Sequence, residues 1–111
     1  MLGALAIGDI GTFYPSNSKW KNCNSKIFLI DTLEKLKKEN FFISYIDTTI
    51  ILQKPKINKF IPQIKQNLEQ LMSLTSNQIS IKATTTDYLG FIGKSEGIAA
   101  MATVLIYKDF K

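Results

Sequence analysis

The stretch FFISYIDTTIILQ, residues 41–53, is the segment from which the fold can be predicted. It is rich in β-branched and aromatic residues and stops before the Lys54-Pro55 pair, so it predicts a β-strand. Residues 48–52 show no clean alternation of polar and apolar side chains, which is typical of a strand buried on both faces. The patterns on either side of this strand then indicate the fold class.

An amphipathic helix is predicted before the strand. Apolar residues recur at every third position over residues 27–36, after Asn24 or Ser25 as a natural N-cap. Asn40 is expected to end this helix. At the start of the chain, residues 1–7 are apolar and small and read as the tail of a helix closed by a glycine.

A second helix and two more strands are predicted after the strand. Asn58 is expected to cap the helix, with Pro62 tolerated in its first turn. The runs QISIKATTT (78–86) and IAAMATVLIYK (98–108) then predict strands. A strand-helix-strand unit followed by an adjacent strand indicates an α+β fold, a mixed sheet with helices packed on one face. Because the opposite face would be apolar and uncovered, we expect association through the sheet.

Composition restricts the function classes. The 111 residues and 45 % apolar content suit one domain with a real core. Cys23 is the single cysteine, which fits a reducing compartment, and no apolar run is long enough to cross a bilayer, so we expect a cytoplasmic protein with no membrane partner. The net charge of +5 comes from scattered lysines without arginine, so we expect no nucleic-acid partner, and an RNA-binding sandwich ranks last. The chain has no histidine, which removes the commonest general base and zinc ligand.

The loop KATTTDYLGFIGKSEGIAA, residues 82–100, contains the largest group of candidate ligand-binding residues. Gly93-Lys94-Ser95 resembles the end of a phosphate-binding loop, but that motif needs a glycine where Tyr88 stands. The three threonines before Asp87 could turn hydroxyls toward an anion, with a divalent cation between that anion and the carboxylate. A Thr-rich turn in which Asp87 caps a short helical turn explains the residues equally well.

Two other loops carry candidate binding residues. In QKPKIN, residues 53–58, Lys54 and Lys56 could hold a base or a phosphate, or form a solvated turn. In GDIGTFYPSNS, residues 8–18, Asp9 could accept hydrogen bonds from hydroxyl groups, or act as a turn residue.

The three loops together resemble one family, 2-C-methyl-D-erythritol 2,4-cyclodiphosphate synthase of the non-mevalonate isoprenoid pathway. The matching stretches are LGALAIGDIGTFYPSN, NSKIFL, IDTTIILQKPKI and ISIKATTTDYLGFIGKSEGIAAMATVLI. The resemblance implies a homotrimer with its sheets facing inward and active sites between subunits. It also implies that the chain is one domain, 1–111, corresponding to the C-terminal two-thirds or so of a subunit, without the first strand and most of the first helix.

The resemblance implies a lyase that converts 4-diphosphocytidyl-2-C-methyl-D-erythritol 2-phosphate to the cyclic diphosphate and releases CMP, with zinc and Mg²⁺ or Mn²⁺. It assigns the erythritol hydroxyls to Asp9, Ile10 and Gly11 and a mobile loop to residues 14–18, in which Tyr14, Ser16 and Ser18 contact substrate. The same resemblance assigns the cytidine pocket to Pro55 and Lys56 and the diphosphate to Thr84 and Thr86. It implies that Thr85 polarises the transferred phosphate and that Asp87 binds the second metal ion. Phe91 and Lys94 are expected near the trimer axis, where they can bind an isoprenoid diphosphate.

The family's zinc ligands, an Asp-x-His and a later histidine, have no counterpart in this chain. We therefore expect that the sequence as it stands does not place the attacking phosphate. The alternative interpretation is a non-catalytic trimeric module that binds a cytidine nucleotide or an isoprenoid diphosphate.

Overall fold

The computed structural model describes residues 1–17 and 19–109. Its three strands form a mixed sheet in the order β2-β1-β3, with β1 and β2 parallel, so the α+β prediction is confirmed. In chain order the elements are α1 (Ile10–Phe13), α2 (Ser25–Lys38), β1 (Phe41–Ile51), α3 (Ile61–Met72), β2 (Ile79–Thr84), α4 (Gly90–Gly93) and β3 (Ala99–Lys108), with 3₁₀ turns at Asn58–Phe60 and Ser76–Gln78.

Helix α2 begins and ends where the sequence predicts. The Asn24 side chain accepts a hydrogen bond from the Lys26 backbone N–H at 3.0 Å, which satisfies one of the unpaired donors of the first turn. At the other end, Asn40 has a left-handed backbone with φ of 60°. Asparagine tolerates this conformation better than most residues, so it ends the helix.

Two predicted features are wrong. Residues 1–7 form a turn with one helical hydrogen bond, from the Leu5 N–H to the Met1 carbonyl at 3.1 Å, and the left-handed residue that ends it is Ala6, with φ of 60°, and not the predicted glycine. The Asn58 side chain makes no capping hydrogen bond, and α3 begins only at Ile61. The 3₁₀ turn provides the missing acceptor instead, because the Ile61 N–H donates to the Asn58 carbonyl.

The chain divides into two compact units, and one is residues Met1–Ser44 with the described residues from Val104 onward. In this unit the Tyr14 ring is buried, with its centroid 5.0 Å from those of Trp20 and Phe28. Phe42 stacks on Tyr107 at 5.6 Å.

The other unit, Tyr45–Thr103, contains the parallel strand pair. Ile46 of β1 and Ile79 of β2 are register partners, and both are buried. Helix α3 packs against β2. Among the described residues, none of the helices is long and apolar enough to cross a membrane.

Candidate functional site

The carboxyl ends of β1 and β2 lie side by side. Ile51 and Thr84 are register partners, and the Leu52 N–H donates to the Thr84 carbonyl at 3.0 Å, so the parallel pairing continues to the last residue of β2. Because the strands are parallel, the loops that follow them leave from the same edge of the sheet. This edge is where open α/β sheets commonly bind ligands.

A cavity of about 220 Å³ lies at this edge. It brings together residues from both loops, predicted separately from sequence: Leu52, Pro55, Lys56, Ile57 and Asn58 after β1, and Ala83, Thr84 and Thr85 at the end of β2. The lining is apolar apart from an ammonium group, an amide and two hydroxyls. Such a lining suits a flat apolar-faced ring with an anionic group beside it.

The three threonine hydroxyls have different hydrogen bonds. Thr84 Oγ1 donates to the Thr85 carbonyl at 3.3 Å, and Thr86 Oγ1 donates to the Leu89 carbonyl at 2.7 Å. Thr85 Oγ1 instead accepts from the Asp87 N–H at 3.3 Å. Since a hydroxyl has one hydrogen to donate, the Thr85 hydrogen is not used in these bonds, whereas the Thr86 hydrogen closes the turn.

Asp87 and Tyr88 form a consecutive left-handed pair, with φ of 53° and 65°. The Tyr88 N–H donates to Gln53 Oε1 at 3.0 Å, and Gln53 is only 6 % exposed. The alternative in which Asp87 caps a helical turn is not observed, because Leu89 precedes α4 and no side chain caps it within the described chain. Sequence reasoning missed Gln53, since a glutamine at a strand end reads as an ordinary surface residue.

The donor set at this edge fits a hard cation and not zinc. An exposed carboxylate at Asp87, beside threonine hydroxyls, matches the one or two carboxylates plus substrate phosphates that hold Mg²⁺. Zinc prefers histidine and cysteine ligands, and the sequence has no histidine and one cysteine. In the described ranges 1–17 and 19–109, no three Cys, Asp or Glu side chains cluster to hold a metal ion.

Phe91 and Lys94 flank α4 outside the cavity lining. The Phe91 ring is exposed but lies against the Gly97 backbone, where an added Cβ would be 2.9 Å from it. Lys94 is exposed at the C-terminal end of α4. Their assignment to a trimer axis stays a prediction.

The remaining predicted site residues lie in the other unit. The Asp9 carboxylate accepts hydrogen bonds from the Thr12 N–H and hydroxyl, both at 2.9 Å, and caps α1. These bonds, the backbone one first, hold the Asp9 pKa below its ordinary value. Ile10 and Gly11 are exposed in the first turn of α1.

Tyr14 lies at a network in the same unit. Its hydroxyl donates to Asp31 Oδ2 at 2.6 Å and lies 3.1 Å from Thr32 Oγ1. Burial, and then the bond to Asp31, raises the pKa of Tyr14, while the same bond and Lys35 lower the pKa of Asp31. Ser16 is exposed, and Ser18 lies outside the described residues.

A cavity of about 430 Å³ lies beside this network. It is lined by Asp9, Ile10 and Tyr14 together with apolar residues such as Leu2 and Phe28. The structure therefore brings Asp9 and Ile10, which the resemblance assigns to the erythritol hydroxyls, to one cavity with Tyr14 of the adjacent loop, whereas Gly11 is not among the lining residues.

Comparison with known proteins identifies relatives over almost the whole chain. The YgbB family model matches residues 1–107. A protein named 2-C-methyl-D-erythritol 2,4-cyclodiphosphate synthase in Azobacteroides pseudotrichonymphae genomovar. CFP2 is 47 % identical over 107 residues, which are 96 % of this chain and 64 % of the relative. The protein of the same name in Parabacteroides distasonis is 44 % identical over 109 residues, with 97 % of this chain and 68 % of the relative covered.

A solved structure agrees with these relatives. The CDP complex of IspF from Plasmodium falciparum superposes with a TM-score of 0.85 at 35 % identity, covering 97 % of this chain and 65 % of that one. This chain thus spans about two thirds of the length of these three proteins. The match over residues 1–107 and the 44 % identity with a relative of which it covers two thirds show that the chain belongs to the YgbB family.

Proposed function

We propose that this chain carries the cytidine- and diphosphate-binding part of a 2-C-methyl-D-erythritol 2,4-cyclodiphosphate synthase. The observation that supports this most is the cavity that unites Pro55 and Lys56 with Thr84 and Thr85 at the ends of two parallel strands. Relatives 44 % and 47 % identical carry that enzyme's name, and the Plasmodium falciparum structure is a CDP complex.

The cavity suits a cytidine diphosphate ester. A pyrimidine ring would lie between the apolar walls formed by Leu52, Pro55 and Ala83, while its diphosphate would extend toward Thr84 and Thr85. The Lys56 ammonium and the free Thr85 hydrogen favour an anion there, and charge-assisted hydrogen bonds are the stronger kind.

The proposed reaction is an intramolecular phosphoryl transfer. An oxygen of the substrate's 2-phosphate forms a bond to the β-phosphorus, and the bond from that phosphorus to the α–β bridging oxygen breaks, so that CMP leaves with the electron pair. Thr85 donates a hydrogen bond to the transferred phosphoryl group as its charge is redistributed. A Mg²⁺ or Mn²⁺ ion held by Asp87 would supply charge neutralisation to the crowded phosphates.

The remaining predicted residues complete the proposal. Asp9, Ile10 and Gly11 would hold the erythritol hydroxyls, and residues 14–18 would border them. The active sites would lie between subunits of a cytoplasmic homotrimer whose sheets face inward, with Phe91 and Lys94 near its axis. The exposed apolar side chains of β3 and the lone Cys23 support the trimer and the reducing compartment respectively.

A second candidate is a non-catalytic trimeric module that binds a cytidine nucleotide or an isoprenoid diphosphate. The observation that favours it is the absence of histidine from the sequence, which leaves no zinc ligands of the family's kind. In that case the chain binds CDP but does not turn over substrate.

Titration calorimetry with CDP, with and without Mg²⁺, tests the shared part of both candidates. We expect CDP to bind with micromolar affinity and Mg²⁺ to increase that affinity. UDP and ADP should bind more weakly than CDP. CMP release from the diphosphocytidyl substrate, followed by chromatography, would identify the synthase and overturn the expectation that this sequence does not place the attacking phosphate. Binding without release is expected of the module and of a synthase part without the family's zinc ligands. A chain that does not bind CDP at all contradicts the synthase and the cytidine-binding form of the module, and leaves only a module that binds an isoprenoid diphosphate.

A further inference from the structure

The loop after β2 displays the Asp87 carboxylate on an unfavourable backbone. Asp87 and Tyr88 are neighbours, neither is glycine, and both have φ in the left-handed region. Each such residue costs about 1–3 kcal/mol unless its surroundings hold it. The contacts that hold this pair therefore determine where the carboxylate lies.

Most of these contacts come from within the loop itself. The Asp87 N–H donates to Thr85 Oγ1, and Thr86 and Leu89 exchange two hydrogen bonds, from the Thr86 hydroxyl at 2.7 Å and the Leu89 N–H at 3.0 Å. Gly93 packs so closely that an added Cβ would lie 2.2 Å from the Tyr88 carbonyl carbon. These contacts shape the loop, but they do not fix it relative to the strand beside it.

One contact comes from a distant part of the sequence. Gln53, two residues past the end of β1, accepts the Tyr88 N–H at 3.0 Å through Oε1. The donor is an N–H, so the acceptor has to be the amide oxygen, and the orientation of this side chain follows from its partner. Because Gln53 is 6 % exposed, losing the bond would leave a poorly hydrated amide oxygen, which strengthens the preference for keeping it.

Gln53 also belongs to the loop that carries Pro55 and Lys56. Its bond to Tyr88 therefore joins the proposed base-binding loop to the residue next to Asp87. A diphosphate that spans from the ring to a metal ion needs these two points at a fixed separation, because a small misplacement of catalytic groups is costly.

We propose that Gln53 is a positioning residue that holds the Asp87–Tyr88 pair through the Tyr88 N–H and so sets Asp87 for a Mg²⁺–diphosphate ligand. This inference rests on the proposed function for its ligand. Gln53 itself contacts neither the substrate nor the metal ion in this proposal.

Two matched variants test it, Gln53→Met and Gln53→Glu. Methionine keeps the length of the side chain and removes the acceptor, whereas glutamate keeps an oxygen at the same place. Hydrogen exchange of the Tyr88 amide reports the bond directly, and CDP titrations with Mg²⁺ or with EDTA report its consequence.

We expect Gln53→Met to speed exchange of the Tyr88 amide about tenfold and to remove most of the Mg²⁺ enhancement of CDP binding, with binding in EDTA unchanged within about twofold. Gln53→Glu should restore amide protection and the Mg²⁺ enhancement. A residue that merely stabilised the fold would weaken CDP binding equally with and without the metal ion.

If Gln53→Met keeps both the Mg²⁺ enhancement of CDP binding and the protection of the Tyr88 amide at their wild-type levels, the proposal is overturned. If that variant does not fold, the wild-type protein still decides, because an unprotected Tyr88 amide excludes the bond. Failure of the wild type to bind CDP contradicts the proposed function instead, and Tyr88 exchange then tells separately whether Gln53 holds the loop.

Discussion

At the scale of single residues, the free hydroxyl hydrogen of Thr85 is the most specific feature of the candidate site. Thr85→Val removes that hydrogen while keeping the branched shape. A hydrogen bond to a charged group contributes about 1.5–3 kcal/mol, so we expect CDP–Mg²⁺ affinity to fall about tenfold or more by calorimetry. Thr85→Ser, the matched control, should stay close to wild type. Equal CDP–Mg²⁺ affinities of the valine and serine variants would show that the Thr85 hydroxyl does not bind the phosphate.

The Tyr14–Asp31 pair predicts how stability depends on pH. The pKa of Asp31 lies below its ordinary value, so its contribution is present above about pH 4 and is lost as pH falls through the lowered pKa. The pKa of Tyr14 is raised, so its contribution is present below about pH 10 and is lost as pH rises through the raised value. The 2.6 Å hydrogen bond is the first cause of the lowered pKa of Asp31, whereas for Tyr14 burial comes first and this bond second.

Tyr14→Phe should therefore weaken the pH dependence of stability at both the acidic and the alkaline end. We expect a loss of about 1 kcal/mol in the free energy of unfolding at pH 7, a modest figure because Asp31 is partly exposed. Urea unfolding across pH measures the stability, and a carbon NMR titration should show the Asp31 pKa rising toward its ordinary value. Tyr45→Phe, an exposed tyrosine, is the control, and a Tyr14→Phe profile parallel to wild type would contradict this account.

Residue roles were predictable from sequence only where the chemistry is local. Local chemistry singled out Lys56 and the threonines as separate candidates, only the family resemblance assigned Pro55, Lys56, Thr84 and Thr85 to one substrate, and the structure brings these four to one cavity. Gln53 was not predictable, because its partner is 35 positions away and its importance appears only when the strands are paired.

At the scale of the elements, helix caps show what a local pattern can and cannot predict. Asn24 and Asn58 look alike in sequence, but only Asn24 caps a helix with its side chain in the described structure. We expect Asn24→Ala to lower the free energy of unfolding by about 1 kcal/mol and Asn58→Ala by less than about 0.5 kcal/mol. Urea denaturation of the two variants measures this difference, and equal losses would show that the cap assignment is wrong.

The loop from Thr84 to α4 depends on one glycine. Gly93→Ala would bring a methyl group against the Tyr88 backbone, where the nearest atom is 2.2 Å from an ideal Cβ. Overpacking of this kind costs about 1–3 kcal/mol, which urea denaturation will measure. Gly3→Ala is a suitable control, because an added Cβ there has open space around it. A harmless Gly93→Ala would mean that the loop moves freely away from α4.

The elements with a periodic pattern, α2, β1, β2 and β3, were predictable because burial repeats along each of them. The start of α3 was not, since a 3₁₀ turn and a proline can begin a helix without a side-chain cap. The Asp87–Tyr88 conformation was equally hidden, because the groups in contact with the pair include Gln53 and Gly93, which a local pattern does not bring together.

At the scale of the whole molecule, the mixed sheet followed from the order of its elements, whereas the predicted association of chains depends on surfaces. On β3, alternate apolar side chains are strongly exposed: Met101 is 68 % exposed, Leu105 59 % and Tyr107 53 %. Side chains two positions apart in a strand share a face, so these three belong to one face of β3. An apolar strand face of this kind usually marks an interaction surface.

We therefore expect the protein to sediment as a trimer of 12.5 kDa chains at micromolar concentration. Leu105→Lys places an ammonium group on the apolar face of β3, and since a desolvated unpaired charge is costly, it should shift the protein to monomers. Ile30→Lys makes the same change on α2 at a residue that is 44 % exposed, and it should leave the trimer intact. Sedimentation velocity distinguishes these outcomes. A wild-type monomer would contradict both the trimer and the placement of active sites between subunits, while a trimer that tolerates Leu105→Lys would move the interface away from β3.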